Sequence, residues 1–515
     1  MRLRILVSAV WILFILIGVS LFSQFRLEGY EGDHKGRKLV SSALSKGPYF
    51  GFYIAKALEF ERMNPRLSNF AYTIPEVFSD NGSARINPLQ KNARIFGERR
   101  KKLLSQIEEG VALINSSGFT FDSTDLCKNL EYLTGLESPQ AYLLLAPKGV
   151  TVEAIKLGYS WGTEKGPELA RGREVQEALF VPEPSELQKI ENVPWPTTEQ
   201  IQQATGIEAV FGLSAMNEVL EQAFFKEEVL WLNTSAPPKL DAKLTPDIAK
   251  INEIRERFYW LRFKNIAPII HEMRRVKDSY EIACLKTAHE ITTEIFVKIM
   301  STIKPGDNES LVHAIFDYEL ESKKNSGMYS DLAKSFGTIV TSGRNTSIIG
   351  YPRSNREIKD GDLVLLDAGV AYNGYCADIT RVWPVNGRFT PRQREIYSIV
   401  LEAQKRGIAT MKPGSSSVDA RAQAYKLYKE HNLQRWAFGR NCHQLGLNVH
   451  YRLGFERYRP FEPGVAVVFE PLLMIQDEGI GIRIEDGILI TETGHEIMTG
   501  PPKEIEEIEA LCSKK

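Results

Sequence analysis

Two carboxylates sit close together in residues 361–384, GDLVLLDAGVAYNGYCADITRVWP. The apolar run ends in Asp367, passes through Asn373-Gly374 and returns with Asp378, which is the pattern of a β-hairpin closed by a two-residue turn. With Asn373 and Gly374 in the turn, Tyr372 pairs with Tyr375 and, counting back, Gly369 pairs with Asp378. Asp367 then points to the same face as Asp378, as a diagonal cross-strand neighbour. Two acids on a mostly apolar hairpin either raise one another's pKa until one protonates, or hold a cation between them. A solvated edge hairpin would show the same spacing, so the elements around it have to decide.

An internal repeat supplies counterparts to both acids. Lys304-Pro305-Gly306 recurs as Lys412-Pro413-Gly414, each time after an amphipathic helical pattern. The first helix is predicted to start at Asp278 with Glu281 as its capping partner. The second is predicted to start at Thr390, with Pro391 at the first helical position and Gln393 completing a capping box. Another helix follows each Lys-Pro-Gly turn, around residues 310–323 and 418–431. Later in each half stands a similar strand, GDLVLLD at 361–367 and GVAVVFE at 464–470, ending in an acid six residues after its glycine. Asp367 is followed by Asp378, and Glu470 by Glu485 at the end of a short strand predicted over 481–485. A duplicated α+β unit folded about a pseudo-twofold axis would bring the two pairs together, and four converging acids require cations.

An imidazole lies between the halves, in residues 439–450, GRNCHQLGLNVH. The order Asp367, Asp378, His443, Glu470, Glu485 resembles, residue by residue, the metal-ligand pattern of the pita-bread metallopeptidases. The words LLDAGVAYNGYCADITRVWPV, HQLGLNVH, FEP and GIGIRIED, with the entry PIIHEMRRVKDSYEIACLKTA, are most similar to aminopeptidase P and prolidase. The resemblance is strong over residues 266–500 and weaker over 94–250, where RRKKLLSQI and YLTGLESPQAYLLLAP resemble the N-terminal domain of aminopeptidase P.

The resemblance implies a dinuclear enzyme that cleaves N-terminal Xaa-Pro bonds of peptides with a metal-bridging hydroxide. Asp367 would bind one metal, His443 and Glu470 the other, and Asp378 and Glu485 would bridge. An oxygen-rich set with one imidazole suits Mn²⁺ best, with Co²⁺, Fe²⁺ or Zn²⁺ as alternatives. Glu470 would shuttle the proton, His450 would bind the substrate carbonyl or its oxyanion, and Arg483 would orient the ligands. Two positions depart from the family pattern: Gly350 and Gly439 stand where active members usually carry substrate-contacting histidines. That combination keeps open a weak or inactive pseudo-peptidase acting as a binding module, beside the close variant of an Xaa-Pro dipeptidase. His271, His289, His313 and His431 are expected on helix surfaces.

Composition bounds the rest. The 515 residues are 43% hydrophobic and 25% charged, and Lys+Arg 64 against Asp+Glu 65 leaves a net charge of -1, so no nucleic-acid partner is expected. The five cysteines lack CxxC spacing, which argues against a zinc ribbon and a disulfide scaffold. After Arg2 and Arg4, residues 5–22 carry no charge. As a helix they would span about 27 Å, close to a bilayer core, and they are read as an anchor with its basic end in the cytoplasm. Ser20 and Ser23 also offer small residues for a signal-peptide cleavage site. Either way the rest of the chain is expected outside the cytoplasm, anchored or secreted, and a homo-oligomer is compatible with this reading. The predicted organisation is an anchor or signal peptide at 1–25, an extension at 26–92, an α/β domain at 93–265 and the pita-bread domain at 266–515.

Overall fold

In the computed structural model of the chain, the duplicated pattern takes the form of two hairpins, each broken where its acids sit. The structure describes residues 85–86, 92–116, 124–138, 140–152, 173–184, 195–234, 246–326, 329, 331–351, 353–438, 442–450, 458–498 and 500–513. The expected anchor at 5–22, nearly all of the extension, and Gly439 with its neighbour Arg440 lie outside these residues. Among the described residues, no helix is long and apolar enough to cross a membrane.

The N-terminal part is a six-stranded sheet in the order β4-β3-β2-β1-β5-β6. The strands are β1 (Val111–Asn115), β2 (Tyr142–Val152), β3 (Arg173–Val181), β4 (Val210–Gly212), β5 (Val229–Leu232) and β6 (Arg262–Asn265). Helices α1 (Ala93–Leu104), α2 (Thr124–Thr134), α3 (Thr198–Thr205), α4 (Met216–Lys226) and α5 (Pro246–Arg257) accompany it. From the sequence alone, residues 142–146 are expected as a strand ended by Pro147-Lys148-Gly149, and a helix is expected from Pro246 to about Phe263; the structure corrects both. Pro147-Lys148-Gly149 does not end a strand: β2 continues to Val152, and the register against β3 shifts between Leu145 and Val150. Gly149 takes φ +81, which lets the bulge form without breaking the strand. The helix predicted from Pro246 to about Phe263 stops at Arg257, because Arg262–Asn265 pairs in parallel with β5 as the sheet's edge strand.

The C-terminal part opens with α6 (Ala267–Arg275), α7 (Ser279–Thr302) and α8 (Glu309–Asn325). Asp278 caps α7 as its sequence requires, accepting from the Glu281 backbone N–H while the Glu281 side chain accepts from the Asp278 N–H. Arg99, buried on α1, donates to the same Asp278 carboxylate at 2.7 Å and 3.0 Å, which ties the two parts of the chain together at this cap. Thr390 and Gln393 cap α9 (Pro391–Ile408) in the same manner, and α10 (Ser417–Glu430) follows the second Lys-Pro-Gly turn.

Strands β7 (Leu332–Lys334), β8 (Ile339–Ser342), β9 (Leu363–Ala368), β10 (Val370–Tyr372), β11 (Tyr375–Cys376) and β12 (Ile379–Pro384) build the first hairpin and its neighbours. β9 pairs with β12 and with β8, while β10 pairs with β11 and with β7. Tyr372 faces Tyr375, and Asn373 and Gly374 both take positive φ, as a tight hairpin turn demands. The second hairpin repeats the plan with β13 (Cys442–Gln444), β14 (Ala466–Phe469), β15 (Leu472–Ile475), β16 (Ile480–Arg483), β17 (Asp486–Ile490) and β18 (His495–Ile497). β14 pairs with β17 and β13, and β15 pairs with β16. In both hairpins the outer and inner strand pairs belong to different sheets, so the ribbon bends between them. Gly369 permits the first bend, since a Cβ there would lie 1.9 Å from the carbonyl oxygen of Ala377. One continuous core, from Ile291 of α7 through Leu366 of β9 and Val400 of α9 to Val467 of β14, supports these sheets.

His289 is not on a surface. It lies fully buried on α7 with Nδ1 2.7 Å from the Leu285 carbonyl oxygen, and Gly487 makes the room, because a Cβ at that position would sit 2.2 Å from His289 Nε2. His431 is exposed as expected, whereas His271 and His313 are half-buried.

Candidate metal centre

The acids occupy equivalent places in the two hairpins. Asp378 immediately precedes β12 and Glu485 immediately precedes β17, while Asp367 lies near the end of β9 and Glu470 just past the end of β14. Glu485 was expected inside a strand over 481–485. The strand instead ends at Arg483, and Glu485 makes an isolated bridge to Thr380. His443 enters from β13, whose register places it opposite Val468 of β14.

The hairpins bring these side chains to one place. Single donor atoms of Asp367, Asp378 and Glu485 lie within 4.8 Å of one another, as do those of His443, Glu470 and Glu485, and those of Asp378, His443 and His450. Glu485 and Asp378 each belong to two groups, one containing Asp367 and one containing His443. His450 is exposed at the mouth, with its ring centroid 4.2 Å from that of His443.

Charge makes this cluster costly. Burial and the neighbouring charges of Glu485, Asp367 and Glu470 hold Asp378 well above the usual carboxylate range. Burial, then the charges of Glu470 and Asp367, does the same to Glu485. Asp367 is raised mainly by burial, against the pull of the Arg483 guanidinium. Glu470 is pushed up to about 7 by burial, with Arg483 opposing and Asp367 adding to it. His443 is driven down to about 3 by burial and then by His450, so its ring is neutral. Its Nδ1 lies 3.2 Å from the Gln444 carbonyl oxygen, which suits the tautomer protonated there and leaves Nε2 as an acceptor 3.5 Å from Asp378.

Two atoms test whether a cation fits. Asp367 Oδ1 and His443 Nε2 are buried without a hydrogen-bond partner. Buried lone pairs left unpaired cost roughly 1–3 kcal/mol each, and a divalent cation satisfies both while neutralising the acids. Four carboxylates and one neutral imidazole form a hard donor set of the kind that takes Mn²⁺ and its neighbours.

Arg483 donates to Asp367 Oδ2 and, at 3.0 Å, to the hydroxyl of Thr380, which in turn donates to Glu485 Oε2 at 2.5 Å. Thr380 escaped the sequence reading, although it lies two residues after Asp378 and hence on the same face of the strand. Arg381, fully buried, donates to the carbonyl oxygens of Glu485, Thr380 and Pro501 and to Asp486 at 2.5 Å, fixing the backbone behind the site.

Gly350 lies just beyond a 3₁₀ turn, with φ +67, and a Cβ there would meet nothing within 4 Å. It lines a cavity of about 580 Å³ with His313, Thr338 and Ile339. Ile339 is the register partner of Asp367, but none of the clustered acids lines this cavity.

Comparison with known proteins agrees with this architecture. Residues 283–492 match Metallopeptidase family M24, and residues 96–231 match the N-terminal domain of aminopeptidase P. The chain is 38% identical over 281 residues to the Xaa-Pro aminopeptidase of Escherichia coli, covering 47% of this chain and 60% of that protein. It is 27% identical over 429 residues to Xaa-Pro aminopeptidase 3 of Homo sapiens, covering 78% of each. The matches to the first three curated relatives span 60%, 54% and 63% of their lengths. Aminopeptidase P from E. coli with the inhibitor Pro-Leu superposes with a TM-score of 0.66 at 28% identity, covering 82% of this chain and 98% of that one. Proline aminopeptidase P II from Yersinia pestis gives 0.65 at 26% identity, covering 82% and 100%. Residues 96–231 thus form an aminopeptidase P N-terminal domain and residues 283–492 a domain of metallopeptidase family M24, in one chain whose fold is shared along nearly the whole of both solved aminopeptidase P chains.

Proposed function

We propose that the protein is a dinuclear metal-dependent aminopeptidase that hydrolyses the N-terminal Xaa-Pro bond of peptides. The observation that carries this reading is the convergence of Asp367, Asp378, His443, Glu470 and Glu485 within ligand distance of shared points, with Asp367 Oδ1 and His443 Nε2 unpaired. When bound, two divalent cations, Mn²⁺ by preference, would supply Lewis acidity to the peptide carbonyl and an activated water. Asp378 and Glu485, the carboxylates that each share one donor group with Asp367 and another with His443, would bridge the cations. Glu470, which shares a donor group with His443 and Glu485, can take a proton from the nucleophile and return it to the leaving amine. His450 stands at the open mouth, where it can donate to the developing oxyanion, and Arg483 keeps Asp367 and, through Thr380, Glu485 in place. The test is metal analysis together with hydrolysis of an Xaa-Pro tripeptide and an Xaa-Pro dipeptide. Release of the first residue from the tripeptide, lost in Asp378→Asn, is expected; an inactive wild type indistinguishable from that variant would sink the reading. Dipeptide cleavage alone would instead indicate a dipeptidase.

A second reading is motivated by Gly350, where an added side chain would meet open space. A binding module that keeps the metal but lacks turnover would gain activity on Gly350→His combined with Gly439→His. The left-handed backbone at Gly350 would make the first change cost about 1–2 kcal/mol of stability. Robust turnover by the wild type would exclude this reading.

We infer from residues 5–22 that the protein is held at a membrane, or secreted after cleavage, with its catalytic part outside the cytoplasm. Cell fractionation with protease accessibility tests this: a soluble, protected protein bearing an intact N-terminus would contradict it.

A further inference from the structure

A buried chain of polar side chains runs from the N-terminal sheet to the loop that carries His450. At its centre is Arg274 of α6, with none of its surface exposed. Its Nη1 donates to Asn129 Oδ1 at 2.7 Å, and its Nη2 donates to Asn448 Oδ1. Asn129, fully buried on α2, turns its Nδ2 to Asn233 Oδ1 at 2.8 Å. Asn233 follows β5, and its own amide reaches more loosely, at 3.5 Å, to the Asn115 carbonyl oxygen at the end of β1. A guanidinium has donors and no acceptor, so both amide oxygens must face it, and this fixes the orientation of every amide along the row.

Asn448 lies in the short loop between His443 and His450. Backbone contacts already shape this loop: Leu445 N–H donates to Ala466, Cys376 N–H to Gly446, and Gly446 N–H to Asn448. The first holds the start of the loop to β14 and the second holds it to β11. Asn448 is the residue through which Arg274, backed by Asn129 and Asn233 of the N-terminal domain, reaches the loop, two residues before the imidazole of His450.

We propose that Arg274 is a positioning residue for the reaction: through Asn448 it fixes the loop that presents His450, with Asn129 and Asn233 of the N-terminal domain as its rigid backing. This rests on the reading of His450 as a substrate-facing group. The N-terminal domain thereby acts on the reaction through a buried guanidinium and requires no contact of its own with substrate. Four of the five proposed metal donors, Asp367, Asp378, Glu470 and Glu485, stand on the hairpins, and the fifth, His443, is held ahead of the loop by the ladder of β13 to β14, so cation binding and His450 placement are separable.

The test uses the full chain and three variants. Arg274→Met and Asn448→Leu each break the row, whereas Asn448→Asp keeps an acceptor for the guanidinium. In both apolar variants, amide hydrogen exchange at residues 445–450 should rise about tenfold or more. Their kcat on an Xaa-Pro tripeptide should fall roughly 10- to 100-fold, with KM and bound Mn²⁺ close to wild type. Asn448→Asp should recover most of the loss. Wild-type exchange and kcat in Asn448→Leu would overturn the proposal, as would an Asn448→Asp chain as impaired as Asn448→Leu. If Arg274→Met does not fold, the Asn448 pair alone decides. A wild type that binds Mn²⁺ yet cleaves no Xaa-Pro peptide would defeat the proposed function, while the exchange measurement would still judge the row.

Discussion

Thr380 lies directly across the β9–β12 ladder from Asp367, and its hydroxyl joins the guanidinium that holds Asp367 to the carboxylate of Glu485. One acid of the cluster from each hairpin is thus held by way of a neutral hydroxyl. Thr380→Val keeps the volume and the β-propensity but removes both hydrogen bonds. The variant should fold like wild type and lose about 10- to 100-fold in metal affinity or turnover. Calorimetric Mn²⁺ titration beside tripeptide kinetics would check it, and unchanged values for both would show that Arg483 holds Asp367 and Glu485 without the hydroxyl.

Gly369 is the pivot between the two sheets of the first hairpin. Its added Cβ would strike backbone, the Ala377 carbonyl at 1.9 Å, which cannot swing away as a side-chain tip can. Gly369→Ala should cost about 3 kcal/mol and displace Asp378, which follows Ala377 directly. Urea unfolding and bound-metal analysis should fall together. A stable variant with reduced metal would mean that the bend tolerates the methyl but the acid does not.

Chelation should make stability fall with rising pH. Asp367, Asp378, Glu470 and Glu485 have folded pKa values above their unfolded ones, Glu470 at about 7. For a raised carboxylate, the stability contribution is complete below its unfolded value, about 4, and is lost as pH climbs through the folded value. The melting temperature of chelator-treated protein should therefore drop between about pH 5 and 8, and Mn²⁺ should restore more of it at pH 8 than at pH 5. Parallel melting curves with and without Mn²⁺ across that range would contradict the charge clustering.

His289 gives the opposite sign at acid pH. Burial drives it down to about 4, so the stability it contributes is present above its unfolded pKa of about 6.5 and is lost as pH falls through about 4. Its share is about 1.4 kcal/mol per pH unit across that window. His289→Gln should flatten the acid limb of a stability–pH curve measured in denaturant, whatever it does to the plateau.

The hairpin of Asp367 and Asp378, its turn, and the caps at Asp278 and Thr390 were legible because each is a local rule of period, turn chemistry or capping acting over a few residues. The convergence of the two halves was legible from the repeat. Features decided by distant chain were not. Pro147-Lys148-Gly149 reads equally as a strand end or a bulge until β3 is seen beside it. The helix after Pro246 ends at Arg257 because β5 offers its edge to Arg262–Asn265. His289 looked like a surface residue because the space for its ring is made by Gly487, far along the chain. The role of Thr380 likewise depends on the bridge to Glu485, which no local pattern announces.

Each hairpin carries only two of the four acids, and each is bent at the place where they sit. Neither half alone can assemble the cluster, so a growing chain does not hold all four acids together until Glu485, past the end of β16, has been made and bridged to Thr380 of β12. A chain truncated before Glu485 would be left with three acids and their mutual repulsion. A cation taken up by the proposed site would then report that synthesis and folding are both finished, and it would act as a late rivet between the two halves.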